Sequence, residues 1–275
     1  MAGGRGGDAA GRRAGDAPRA LPRAPLARRP RWPHPSPARG PPLAVSGGRA
    51  GRGRRRRREG RPLSLAAHER RLLERYLDEL YAWNTRINLT RVPREQAWDR
   101  HVGEALELLA TVPPAPGTRL VDVGSGAGVP GLPIAVVRPD LEVILCDSDR
   151  GRTEFLAHVV DLIGLRGVGV AWVRAEDLGR TEGAREAFDA AVSRATAPPP
   201  ALCELCLPLL RVGGTMAALV SDAPAASAAC AHAATVCGGG TPAAPAPGVL
   251  AVVKERPTPE RYPRRPGIPA RRPLL

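Results

Sequence analysis

The sequence predicts an α/β fold: a parallel sheet with helices on both faces, preceded by a helical region and an arginine-rich tail. Three observations carry this. From about Arg119 to Lys254, short β-branched runs alternate with helix-like segments, the pattern of repeated βαβ units. The run Arg119-Leu120-Val121-Asp122-Val123 passes straight into Gly124-Ser125-Gly126-Ala127-Gly128-Val129-Pro130-Gly131, as a buried strand does when it meets a tight turn that opens a helix. Ahead of it, apolar residues recur at helical spacing.

Residues 1–62 are low-complexity Gly, Pro, Ala and Arg, with an arginine run from Arg54 to Arg58. Such a segment lacks the large apolar residues a core needs and is expected to be a disordered basic tail. It holds 17 Arg against three acids, so the whole net charge of +14 sits there and the remainder of the chain is neutral. The tail reads either as an arm that grips RNA phosphates or as an extension without function.

A helical region spans 63–116. Ser64 is the expected N-cap, and Leu72, Leu73, Tyr76, Leu77, Leu80 and Tyr81 share one helix face. Trp83 to Thr90, with two Asn and two Thr, reads as a turn. A second helix follows from about Pro93, with Trp98, Val102, Ala105, Leu106 and Leu109 inward, and stops before Pro113-Pro114.

The third region, 117–275, holds the sheet. Strands are expected at 119–123, 141–146, 168–173, 188–193, 215–220 and 249–254, and helices at 130–137, 152–163 and 199–210. Gly213-Gly214 reads as a turn, residues 222–247 as a weak helix and a loop, and the Pro- and Arg-rich 256–275 as the closing segment. No apolar run is long enough to span a bilayer and the N-terminus lacks a secretory signal, so a cytoplasmic location is expected. Five cysteines in so long a chain argue against a disulfide framework.

The glycine turn admits more than one ligand. Gly126, Gly128 and Gly131 fit the G-x-G-x-x-G spacing of dinucleotide binders, with Asp147 about 20 residues on. An acid before the first glycine, Asp122-Val123-Gly124-Ser125-Gly126-Ala127-Gly128, instead resembles the first motif of S-adenosylmethionine (SAM) methyltransferases. Further motifs join it: Trp83-Asn84 with Asn88-Leu89-Thr90, Arg100-His101, Val137-Arg138-Pro139, Asp147-Ser148 with Arg152, Arg174-Ala175-Glu176, Ser193-Arg194-Ala195, and Tyr262-Pro263-Arg264-Arg265-Pro266-Gly267. In this set and order the chain from about Leu63 resembles the glucose-inhibited division protein B family, the bacterial 16S rRNA (guanine-527) N7-methyltransferases.

That resemblance implies a Rossmann-like SAM-binding sheet, SAM as the cofactor, and 16S rRNA, a 30S subunit or an assembly intermediate as the partner, with no metal and no membrane. Gly124, Gly126, Gly128 and Val129 are expected at the amino-acid portion of SAM, Asp147 at its ribose, and Ala175 and Glu176 beside its adenine. Arg194 is expected at the cofactor and the edge of the active site, with Asn84 and His101 as further catalytic candidates and Asn88, Arg100, Arg264 and Arg265 as RNA contacts. Each has a bland counterpart: an N-cap for Asp147, a solvated turn for Glu176, an ion pair for Arg194, capping for the asparagines, a surface position for His101. The sequence departs from the family at Glu104-Ala105, where an Asp-Ser pair is usual, at Val220-Ser221, where a lysine is usual, and at Gly151, where a basic residue is usual.

The C-terminal stretch carries Lys254, Arg256, Arg261, Arg264, Arg265, Arg271 and Arg272 around Tyr262 against Glu255 and Glu260, which reads as an RNA-facing strip. Cys203 and Cys206 have zinc-like spacing but sit in an apolar helix, and packing is the better reading. The competing functions are SAM-dependent methylation of another RNA or a small molecule, nucleic-acid binding with a vestigial SAM pocket, and a nicotinamide enzyme.

Overall fold

The computed structural model describes residues 65–275. The predicted basic tail 1–62 and the predicted N-cap Ser64 lie outside the described residues. Helix α1 (Ala67–Asn84) starts after Ala66, whose N–H donates to the Glu69 carboxylate at 2.7 Å. Its buried residues Leu73, Tyr76, Leu77 and Leu80 follow the i, i+3, i+4, i+7 spacing of one helix face. The second predicted helix is a single run in three pitches: a 3₁₀ turn at Arg94–Gln96, a π-helical turn at Trp98–Gly103, and α2 (Glu104–Thr111). The wider π turn carries Arg100 outward and His101 inward.

The sheet is built from β1 (Arg119–Val123), β2 (Glu142–Asp147), β3 (Val168–Trp172), β4 (Phe188–Arg194), β5 (Leu210–Leu219), β6 (Ala243–Ala246) and β7 (Val249–Val253). Its helices are α3 (Gly131–Val137), α4 (Arg150–Ile163), α5 (Ala175–Leu178), α6 (Pro199–Cys206), α7 (Ala223–Val236) and α8 (Ile268–Arg271). Strand order is β3-β2-β1-β4-β5-β7-β6. The first five strands are parallel, but β7 runs antiparallel to β5 and β6 antiparallel to β7. The expected all-parallel sheet is thus a mixed one, because the segment read as a loop contains β6 and returns as a hairpin at Gly248.

Gly213 and Gly214 lie inside β5 rather than in a turn before it. There β4 advances from Phe188 to Ala190 while β5 advances from Leu210 to Thr215, a bulge. A Cβ on Gly214 would stand 2.9 Å from the Asp189 and Arg211 carbonyls, so only glycine fits the crossing.

Both sheet faces are covered. Leu120, Val143, Leu145, Ala190 and Val192 pack with α1 to α4, while Val121, Val123, Phe188, Ala191, Met216 and Ala218 pack with α6 and α7. The two-residue alternation of each strand therefore feeds two cores, and β1 is buried throughout. Of the N-terminal helices, α2 packs on β5 and α3, and α1 packs on α3 and α4. No described helix is long and apolar enough to cross a membrane.

Candidate cofactor and active site

Strand order reverses between β1 and β4, and in open α/β sheets ligands lie beyond the carboxyl ends of the strands at such a point. A cavity of about 650 Å³ opens there, lined by the glycine turn, the ends of β2, β3 and β4, the loop 88–91 and two residues near α8.

The turn after β1 is held from every side. Gly124 and Ser125 donate their N–H groups to the Cys146 carbonyl at 2.8 and 3.0 Å, and Gly126 donates to Asp147 Oδ2 at 2.8 Å. Gly128 and Val129 donate to the Ser125 carbonyl. The hydroxyls of Ser193 and Thr196 donate to the Val123 carbonyl, and the Tyr76 hydroxyl reaches from α1 to the Ala127 carbonyl at 2.8 Å. These five main-chain N–H groups thus donate within the protein. The glycines provide room instead. Gly124 has φ +71°, and a Cβ there would come within 2.2 Å of the Thr196 side chain. Gly128 does not line the cavity; it turns toward Leu132 and Leu156 in the core.

A pyrophosphate would find few donors in this turn, whereas SAM carries none, so the residues present fit SAM better than a dinucleotide. Asp147, 5% exposed, keeps a carboxylate at the end of β2 and lines the cavity. It is not the N-cap of α4; Asp149 takes that role by accepting from the Arg152 N–H at 2.9 Å. Asp122 is fully buried behind the turn and accepts from the Gly131 N–H at 2.9 Å, which closes the start of α3. Burial pushes its carboxyl up to about 7 against the pull of that hydrogen bond, and its Oδ1 has no partner.

Arg194 ends β4 and lines the cavity. Its Nη1 donates to the Arg100 carbonyl and lies 3.6 Å from the Glu104 carboxylate, while Nη2 donates to His101 Nδ1 at 2.9 Å. A guanidinium only donates, so Nδ1 accepts and the neutral ring carries its proton on Nε2, 3.1 Å from Thr90 Oγ1. Burial, with the cations of Arg194 and Arg100 beside it, drives the His101 pKa down to about 4. Burial also lowers the pKa of Arg194 itself. Asn84 completes the chain: Oδ1 accepts from the N–H groups of Leu89 and Thr90, and Nδ2 donates to the Thr90 carbonyl at 3.0 Å.

Asn84 and His101 thus do not line the cavity. They stand behind it and hold loop 88–91 and Arg194 in place, and His101 is fully buried rather than on the surface. Asn88 lines the cavity and is exposed; Arg100 is exposed and pairs with Glu104 at 2.6 Å. Glu104 therefore retains a carboxylate where the family pattern suggested Asp. Ala175 and Glu176 line the cavity on α5, but Glu176 is buried and accepts from the Gly267 N–H at 2.7 Å, so it is no solvated turn.

The expected C-terminal strip is only partly exposed. Arg265 faces solvent, but Arg264 pairs with the buried Glu204 at 2.6 Å, and Lys254 is fully buried between the Leu207 carbonyl at 2.6 Å, Glu186 at 3.3 Å and the Thr258 hydroxyl. Lys254 pairs across the bulge with Gly213 and Gly214, which carries its side chain inward. Cys203 and Cys206 are buried with Cys230 and Cys237, and no described group of His, Cys, Asp and Glu is arranged for a metal ion. Sequence reasoning missed Tyr76, Thr90, Thr196 and Glu204 as site-building residues. Tyr76 had a place on the helix face, but nothing marked its hydroxyl as the link to the glycine turn.

The model of the family GidB, rRNA small subunit methyltransferase G, matches residues 69–243. The chain belongs to this family. Relatives named "Ribosomal RNA small subunit methyltransferase G" agree along most of their length. The one from Moorella thermoacetica is 40% identical over 223 residues, 77% of this chain and 93% of the relative. Those from Chloroflexus aggregans and Geobacillus thermodenitrificans are 38% and 35% identical, covering 77% and 78% of this chain and 93% and 95% of the relatives. As a member of the rRNA small subunit methyltransferase G family, the chain is a SAM-dependent rRNA methyltransferase.

Proposed function

We propose that this enzyme methylates N7 of one guanine in 16S rRNA. The observation that carries the position is the want of a general base among the described residues lining the cavity. Asp147 and Glu176 already accept from main-chain N–H groups, His101 is turned away with Nδ1 occupied, and the Cys146 thiol, raised far above its usual range by burial, donates to the Val173 carbonyl. Guanine N7 offers an in-plane lone pair and no hydrogen, so attack needs no proton acceptor. SAM supplies an electrophilic methyl group. The protein's task is then orientation, which can account for about 7–11 kcal/mol of a barrier.

In this reading Gly124, Gly126 and Val129 border the amino-acid end of SAM, Asp147 accepts from the ribose hydroxyls, and Ala175 and Glu176 flank the adenine. Arg194, cationic and tied to His101, stays at the edge, where it meets a carboxylate or phosphate rather than the positive reacting centre. Asn84 and His101 act through loop 88–91 and Arg194. Asn88, Arg100 and Arg265 face the RNA. Arg91 and Arg174 line the cavity, are exposed and have no ion-pair partner among the described residues, which suits them to phosphates flanking the guanine.

The deciding experiment supplies labelled SAM and 30S particles or 16S rRNA lacking the modification, followed by nucleoside analysis. Labelled 7-methylguanosine at one site supports the reading. Label on another guanine atom refutes the N7 assignment, and SAM binding with no labelled rRNA refutes the substrate.

A further inference from the structure

The C-terminal segment contributes to the cavity wall through Gly267 and Ala270. It lies beyond residues 69–243 matched by the family model, and its arginines read from sequence as RNA contacts. The geometry of Arg264 points elsewhere. Its main-chain N–H and its Nε donate to Glu204 Oε1 at 2.7 and 2.9 Å, and its Nη2 donates to Glu204 Oε2 at 2.6 Å and to the Arg272 carbonyl at 2.7 Å. Glu204 sits on α6 with no exposed surface, and a buried carboxylate depends on such a partner. With Nε and Nη2 so engaged, Arg264 has little left to offer a phosphate.

A second tether lies nine-tenths inside the protein. The buried Glu176 carboxylate on α5 receives the Gly267 N–H at 2.7 Å, and α5 itself lines the cavity. Behind the segment, Arg185 donates to the Tyr262 and Thr258 carbonyls at 2.9 and 2.7 Å, and Arg180 donates to the Pro263 carbonyl. Arginines from the sheet domain thus hold the segment by its main chain, while Arg264 fastens it to the core.

We infer that Arg264 is a positioning residue for the SAM pocket: through Glu204 it holds residues 264–270 so that Gly267 and Ala270 wall the cavity beside Ala175 and Glu176. That this cavity is the SAM pocket rests on the proposed placement above. The guanidinium is needed for its shape, since one planar group spans two carboxylate oxygens and a carbonyl, which a lysine ammonium does not.

The test measures SAM affinity by calorimetry on the full chain without RNA, beside the KM for unmethylated 30S and the melting temperature. Arg264→Met is expected to weaken SAM binding at least 10-fold and leave the KM for 30S within two-fold, with Arg264→Lys giving no more than partial rescue. Ala270→Trp alters an exposed residue, so it is expected to keep the melting temperature while weakening SAM binding at least five-fold. Arg265→Met is expected to do the reverse, raising the KM for 30S with SAM affinity unchanged. The inference is overturned if Arg264→Met binds SAM within two-fold of wild type, whatever Ala270→Trp does, or if Arg264→Met moves only the KM for 30S. Should Arg264→Met fail to fold, Arg264→Lys decides: wild-type SAM affinity in that variant overturns the inference. Because SAM affinity is read without RNA, a wrong rRNA assignment leaves this result standing.

Discussion

Replacing His101 with glutamine removes a titrating ring and keeps an acceptor for Arg194 and a donor for Thr90. In the folded protein the ring resists protonation, with a pKa of about 4 in place of 6.5. Between those values the unfolded chain binds more protons, so stability is present above 6.5 and is lost as pH falls toward 4. The full effect is about 3 kcal/mol, and at pH 5 about 2 kcal/mol of it is gone relative to pH 8. Asp122 works in the opposite sense: its pKa of about 7 lies above 3.8, so its contribution is present in acid and is lost as pH rises through about 7. That contribution is common to both proteins and cancels in the comparison. Urea unfolding at pH 8 and pH 5 should therefore show wild type losing about 2 kcal/mol more than His101→Gln over the same interval. Parallel losses, within about 0.5 kcal/mol, would refute a buried neutral imidazole locked between Thr90 and Arg194.

Gly124→Ala places a methyl group on Thr196 as well as on a backbone with φ +71°, so SAM affinity should fall at least 10-fold by calorimetry. Gly117→Ala is the control, since Gly117 has the same φ but nothing within 4 Å; it should cost about 1–2 kcal/mol of stability and leave SAM affinity unchanged. Tyr76→Phe strands the Ala127 carbonyl and should cost about 1–3 kcal/mol in urea unfolding, with weaker SAM binding because α1 no longer anchors the turn. Unchanged SAM affinity in Tyr76→Phe would show that the turn keeps its shape without the N-terminal helix.

Much of this protein was legible because local rules and the global fold agree. The alternation from Arg119 onward placed β1 to β5 within a few residues, except that β5 was expected to start at residue 215 and begins at Leu210, and the acid-glycine turn marked where the cavity opens. The failures have particular causes. In β6, Ala243 to Ala246 has no β-branched residue and a proline, so it pairs only because it is an edge strand held by β7. Gly213-Gly214 carries the composition of a turn, yet the same freedom serves a bulge when a neighbouring strand is present. Lys254 and Arg264 looked like solvated cations because the acids that neutralise them, Glu186 and Glu204, lie 60 or more residues away in the chain.

What the sequence determined by itself was whatever depends on near neighbours: helix faces, strand runs, the glycine turn and the order of the motifs. The tertiary structure decided which polar groups face a ligand and which face each other. Asn84, Thr90, His101 and Arg194 join into one hydrogen-bonded chain, and Arg264 finds Glu204, only after β1 and β4 lie side by side and the C-terminal segment crosses to α6. A charged or hydrogen-bonding side chain has no preferred partner in a linear sequence. Burial supplies one, because a polar group removed from water must be paired with whatever the fold brings within reach.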